Sequence, residues 1–355
     1  MKIYTYTTVK DEEDIIESFV RYNINIVDGM VISDNCSNDN TLDILYKLKK
    51  EGLNIDILED HNQYFDQNKK RKELLEYTIN KYKPDFIFPI DADEFISSTK
   101  DCNPRDIIQN LDKNIIYHYK MVNYVISSND NKNELFVPLR MKYQRVENTN
   151  ETGTYKSFFP LNIYNNNFVM LMGAHSAYYN DGSKMKEKTL NDLFLAHYPV
   201  RNKKQIMNKV INGRLNNSSL HSRKEGFGFH QYEILDEIIK NGNISNTTLY
   251  DLSKNYGIKH KSKIGKKIKK PININFCKNI NIKYNKLTNS NLLSNTIKTS
   301  ETIIDHMREE IKMEKEEKNK YIDMYNKYNK LYNQIINSKR WKIMNKICNI
   351  LKREK

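Results

Sequence analysis

Residues 86 to 96 read FIFPIDADEFI, an apolar run that ends in three carboxylates, Asp91, Asp93 and Glu94. In an extended chain residues two apart share a face, so Asp91 and Asp93 are expected to point the same way while Ala92 points back. Two like charges held side by side need a cation between them. Hard divalent ions such as Mn²⁺ and Mg²⁺ prefer oxygen ligands and are commonly held by one or two carboxylates together with substrate phosphates, so the pattern points to a diphosphate-bearing substrate. A further donor is sought among the histidines, because a neutral imidazole binds Mn²⁺. His197 in LAHYPVR is preferred over His175 in MGAHSAYY, although a single histidine is more often structural. Arg201 and Lys204 follow His197 closely enough to approach a diphosphate; the plainer reading is a solvated basic turn. An enzyme using Asp-x-Asp as nucleophile and acid is disfavoured, since Phe95 stands where such sites carry a small hydroxyl residue.

The elements before this stretch must position it. KIYTYTTV (2 to 9), GMVISDN (29 to 35), NIDILED (54 to 60) and DFIFPIDADEF (85 to 95) read as strands. Between them lie helical patterns: an acidic-headed DEEDIIESFVRYNINI, a second closed by Gly52, and NKKRKELLEYTINKY. Such β-α alternation predicts a parallel sheet with helices on its faces. Ligands in these sheets sit beyond the carboxyl ends of the strands. Thr8, Asp11, Asp34, Asn35, Glu59, Asp60, Asp91 and Asp93 all fall at those ends. From about 97 to 215, scattered strands predict an antiparallel extension of the same sheet. Residues 216 to 300, rich in Asn, Ser and Lys, read as a few helices and a linker.

The last fifty or so residues form a third region. From Ile304 to Ile335 apolar residues recur at alternating steps of three and four, broken by Glu314 and Lys318, which predicts a long self-associating helix. Beyond it, SKRWKIMNKICNILKREK sets Trp341, Met344, Cys348 and Leu351 on one face of a basic helix. That composition suits an anionic membrane interface, and a capping helix on the globular domain or a partner chain suits it equally.

The chain has 355 residues, a formal charge of +14 and a pI near 9.2. Because Lys, Asn, Ile and Tyr crowd the whole chain, the charge reads as a drifted solvated surface. The Lys-rich stretch 258 to 272 could touch phosphates nonspecifically, but no nucleic-acid module is recognised. Four widely spaced cysteines exclude a disulfide framework and a zinc site. No leader segment and no bilayer-spanning run is seen, so a cytoplasmic protein is expected, in peripheral contact with the inner face of the membrane if its basic end binds there.

The segment VKDEEDIIESFVRYNINIVDGMVISDNCSNDNT, the DADEF at 91 to 95 and FLAHYPVRNKKQIMNKVING (194 to 213) together resemble the family 2-type glycosyltransferases with a GT-A fold, and within them a small cytosolic branch. The resemblance covers about the first 213 residues. It implies an α/β, Rossmann-like mixed sheet over 1 to 215, followed by a helical or linker region over 216 to 300 and a C-terminal helix over 301 to 355. It also implies metal-dependent, inverting transfer of a sugar, of hexosyl type, from a nucleotide-sugar donor to a glycan or glycolipid acceptor in cell-surface polysaccharide or glycoconjugate synthesis. Thr8 to Glu12 and the pair Asp34, Asn35 would line the nucleotide pocket, and Arg71 would face the nucleotide, as would Arg201. Asp91 would touch the ribose, the ion or a water on it, while Asp93 ligates Mn²⁺ or Mg²⁺ with His197. Asp11 departs from the family's usual Asn, which puts its contact in question. The base that takes the acceptor's proton is sought among Glu147, Glu151, Asp181 and Asp192, with Asp181 and Glu151 preferred and loop capping as the plainer role of both. A catalytically inactive scaffold or carbohydrate-binding protein is the alternative.

Overall fold

The computed structural model describes residues 1–60, 67–146, 154–219, 229–257, 266–278, 280–285 and 292–344. The first part alternates as expected: β1 (Ile3–Val9), α1 (Ile16–Asn23), β2 (Gly29–Asp34), α2 (Thr41–Lys50), β3 (Ile55–Glu59), α3 (Gln67–Tyr82) and β4 (Phe86–Pro89). Next come β5 (Glu94–Ser98), α4 (Pro104–Ile108), β6 (Ile116–Val125), α5 (Val137–Arg140), β7 (Tyr143–Val146), β8 (Tyr155–Pro160), β9 (Phe168–Met170), β10 (Ala177–Tyr179) and β11 (Glu187–His197). The remainder comprises α6 (Lys203–Ser219), α7 (Phe229–Asn241), α8 (Asn246–Asn255), β12 (Lys266–Lys269) and α9 (Leu292–Asn337).

Strands β3, β2, β1 and β4 lie side by side and parallel. Both faces of β1, β2 and β4 are covered, and Ile3, Val31, Ile32, Phe86 and Phe88 are fully buried, whereas β3 at the sheet edge is buried only at Ile55. The sheet continues antiparallel through β8, β6, β7 and β12. One strand breaks the expected antiparallel pattern. β11 runs parallel to β6 and antiparallel to β5, after the long excursion from 126 to 186 returns the chain in the same direction. The result is a mixed α/β sheet followed by a C-terminal helix, as expected.

FIFPIDADEFI is two strands rather than one. Pro89 ends β4, the Glu94 N–H donates to the Asp91 carbonyl at 3.0 Å across a turn, and β5 begins at Glu94. The expected shared face for Asp91 and Asp93 is therefore lost. The acidic run at 11 to 17 also departs from the expected first helical turn. Asp11 adopts a left-handed φ of 54°, and α1 starts only at Ile16. Two of its acids are occupied elsewhere: Asp14 pairs with Arg201, and buried Glu17 accepts the backbone N–H groups of Lys283, Tyr284 and Asn285 at 2.6 to 2.9 Å. Gly52, at a φ of 90°, closes α2 as expected.

Two compact units are present, Met1–Glu301 and Thr302–Lys355. α9 begins at Leu292, ahead of the expected start at 301, and breaks at Ser338, whose hydroxyl accepts the Trp341 N–H. Trp341 and Met344 are exposed, whereas Cys348 and Leu351 lie outside the described residues. Among the described residues no helix is long and apolar enough to cross a membrane.

The strap at 283 to 285 is tied down a second time by Glu51, which accepts from the Tyr284 hydroxyl, the Lys283 ammonium and Arg21. Burial pushes its carboxyl up, but those three donors outweigh it and bring it from 4.5 down to about 2. A depressed acid stabilises the fold above its ordinary value, and that stability is lost as pH falls from 4.5 toward about 2. Glu51→Gln should therefore lower Tm near neutrality and shrink the loss of Tm across this acid window, read by circular dichroism.

Candidate functional site

β11 places His197 opposite both Glu94 on β5 and Asn123 on β6. The Asn123 side-chain carbonyl takes the Nδ1 proton of His197 at 2.6 Å, which turns Nε2 toward the acidic turn. That nitrogen faces Asp93 Oδ2 at 3.5 Å. At that separation the gap suits either a proton on Nε2 donated to the carboxylate or a cation ligated by both. Asp93 is 4% exposed, with the Lys209 ammonium at 3.4 Å and an Arg201 nitrogen at 3.9 Å from the same oxygen. Burial raises its carboxyl, but Lys209 and His197 together hold it well below the ordinary carboxylate range. Asp93, Glu94 and His197 offer ligand atoms within 4.8 Å of one another, so the donor set suits a hard divalent ion.

Asp91 faces the other way. Its Oδ1 accepts from Arg71 at 2.5 Å and its Oδ2 from Lys156 at 2.7 Å. Lys156, almost fully buried on β8, also donates to Glu94 Oε2 at 2.5 Å, and the same oxygen takes the Asp91 N–H at 2.8 Å. Burial pushes the Glu94 carboxyl up to about 7, against the pull of Lys156. Asp91 stays low because Arg71 and Lys156 outweigh its burial. Glu94 therefore braces the turn from inside, while Asp91 meets the surface through α3.

A second group of charges closes the first loop. Arg201, buried, holds Asp14 through two nitrogens at 2.7 and 2.9 Å and reaches Glu12 at 2.5 Å. Burial pushes the Glu12 carboxyl up to about 7, with Arg201 and Lys209 opposing. Asp11 accepts the Asn38 N–H at 2.7 Å and the Asn212 amide at 3.0 Å. Asp11, Glu12 and Arg201 thus spend their polar atoms on the frame. Thr8, half-buried, ends β1 beside Ser33. Asn35 accepts from Lys70 at 2.8 Å. Asp34 is 3% exposed; its Oδ2 takes the Ser37 N–H, and its Oδ1 is buried with no hydrogen-bond partner among the described residues. Burial raises its carboxyl, against hydrogen bonds from Ser37.

The remaining candidates are not drawn into this cluster. Asp181 is exposed and caps its own turn after β10, accepting from Ser183 and Asn167. His175 is exposed and bonds the Tyr155 carbonyl. Asp192 pairs with Lys100. Glu147 and Glu151 lie outside the described residues. Sequence reasoning missed Glu94, Lys156, Lys209, Asn123 and Asp14 as members of the site. A lysine inside the aromatic strand YKSFFP was a usable signal, because a buried ammonium demands an acid. Asn123, inside an unremarkable strand, left none.

No family model matches this chain, and no curated protein matches it. Among solved structures it is similar to S. aureus TarS 1–349 in complex with UDP, at 15% identity over 67% of this chain and 71% of that one, TM-score 0.35. It is also similar to GalNAc-T7 with UDP, GalNAc and Mn²⁺, at 9% identity over 56% of this chain and 44% of that one, TM-score 0.34. A mannosyltransferase from Pyrobaculum calidifontis in complex with GDP-Man and Mn²⁺ matches at 11% identity over 66% of this chain and 69% of that one, TM-score 0.33. Overlap this shallow says nothing about the activity of this chain.

Asn123 orients the His197 ring, so if Asp93 and His197 hold Mn²⁺, Asn123→Ala should weaken that binding about 10- to 100-fold, as loss of an orienting partner does at other histidine metal sites. Calorimetric titration with Mn²⁺ reads this directly.

Proposed function

We propose that this chain is a metal-dependent glycosyltransferase of the GT-A type, using a nucleotide-sugar donor. The observation that carries the reading is the Asp93–His197 pair, a buried carboxylate and an imidazole nitrogen 3.5 Å apart just beyond the carboxyl end of β4 in the parallel part of the sheet. The ordered motifs that resemble family 2-type glycosyltransferases support it, and so does the partnerless Asp34 oxygen at the end of β2.

In this reading Asp93 and His197 hold Mn²⁺ or Mg²⁺, with Glu94 kept on Lys156 as their brace. Asp34 accepts a hydrogen bond from the base or ribose, and Thr8 and Asn35 line the same pocket. Arg201 shapes that pocket by holding Glu12 and Asp14, and Asp11 by holding Asn38 and Asn212. Arg71 and Lys209 carry the positive charge that meets the diphosphate, and Asp91 aims Arg71 while it faces the ribose. When bound, the metal supplies Lewis-acid neutralisation of the leaving diphosphate. An acceptor hydroxyl of a glycan or glycolipid attacks from the opposite face of the donor hexose, with inversion, and a carboxylate takes its proton. Asp181 has both oxygens engaged in its turn, which makes Glu151 the proposed base. The basic end at 338 to 355 would hold the enzyme on an anionic membrane surface where such polysaccharide or glycolipid acceptors are made.

A panel of nucleotide sugars should contain one that raises Tm in the presence of Mn²⁺ and releases nucleoside diphosphate with an acceptor. A chelator should abolish turnover. Glu151→Gln should lower kcat by about 10²- to 10⁴-fold, while Asp181→Asn leaves it unchanged. Donor binding without turnover on any acceptor would instead favour a carbohydrate-binding scaffold.

A further inference from the structure

Among the described residues the second unit is helical, and its apolar residues face water. From Ile304 to Ile335 the apolar members of the seam are 43 to 65% exposed, while Asp305, Lys312, Glu316, Lys320 and Lys327 populate the other face. Steps of three and four sustained over this length are the pattern of a helix that packs against another helix. Two charges, Glu314 and Lys318, occupy consecutive positions in the middle of the seam.

We propose that α9 pairs with α9 of a second copy, antiparallel and centred on residue 316, so that Glu314 of each copy meets Lys318 of the other. In an antiparallel pair the two kinds of seam position face each other. The charge pairing fixes the register, and every other layer follows from it. Moving outward, Ile311 faces Tyr321, Met307 faces Tyr325 and Ile304 faces Tyr328. Each layer combines one phenol ring with one smaller apolar side chain, so the layers have matching volume. The rings can pack while their hydroxyls reach water at the edge. The paired stretch from 304 to 328 is about 36 Å long at 1.5 Å per residue.

A parallel pair in register fails on the same residues. It would stack Glu314 on Glu314 and Lys318 on Lys318 in adjacent desolvated layers, and would crowd tyrosine onto tyrosine at one end. The antiparallel pair does bring Lys315 onto Lys315 and Glu317 onto Glu317. Those positions lie at the solvated rim, where like charges are screened and each also reaches an opposite charge in the centre. The central charges also favour a second copy over a lipid surface, since acyl chains offer no counter-ion to Glu314 or Lys318.

The test uses the full chain in sedimentation equilibrium at low salt, with circular dichroism to confirm retained helix. Wild type should be a dimer. Glu314→Lys alone, or Lys318→Glu alone, places like charges in both central layers and should give monomer. The double variant E314K/K318E should restore the dimer. A wild-type monomer overturns the proposal, including one that binds anionic vesicles through this helix. Single variants that dimerise as well as wild type also overturn it, because a parallel pair merely exchanges one like-charge layer for another.

Discussion

A carboxylate buried at the end of a strand must be met by positive charge, and the organisation of the first unit follows from that constraint. Asp93 is covered by protein and keeps its charge only because His197, Lys209 and Arg201 surround it. Asp91 keeps its own through Arg71 and Lys156. Removing one partner from a buried pair typically costs about 3–5 kcal/mol, as the remaining charge is left uncompensated. Elements remote in sequence are therefore tied to one short turn: α3 through Arg71, β8 through Lys156, β11 through His197 and α6 through Lys209.

The same network separates holding from binding. Glu94 and Asp14 are spent on Lys156 and Arg201, which fix the turn after β4 and the loop after β1. Three atoms are placed to meet something outside the protein. The Asp93 oxygen and the His197 nitrogen face each other at 3.5 Å, and Asp34 buries an oxygen with no partner among the described residues. In the proposed reading a cation at the first two and a nucleoside at the third belong to one ligand, a metal-bound nucleoside diphosphate.

Much of the framework was legible in the chain. Short apolar runs and helical patterns placed β1 to β4 and the intervening helices, because the inner strands are buried on both faces and turns such as that at Gly52 carry their own signal. The acidic tip was legible as a site but not as a shape. Strand alternation was extended through residues 90 to 93, where Pro89 and the Asp91–Glu94 turn break it, so Asp91 and Asp93 part company. Long-range pairing was invisible for a physical reason. Nothing local to Asn123 announces that β11 will run beside it, and the acids at 11 to 17 look like a helix start until Arg201 and the 283 to 285 backbone claim Asp14 and Glu17.

The central claim is that Asp93 and His197 hold a divalent ion. Anomalous scattering from crystals grown with Mn²⁺ and a nucleoside diphosphate tests it most directly. A manganese peak within about 2.5 Å of both Asp93 Oδ2 and His197 Nε2 is the predicted result. A peak bound elsewhere, with His197 still facing Asp93 across an empty gap, would contradict it.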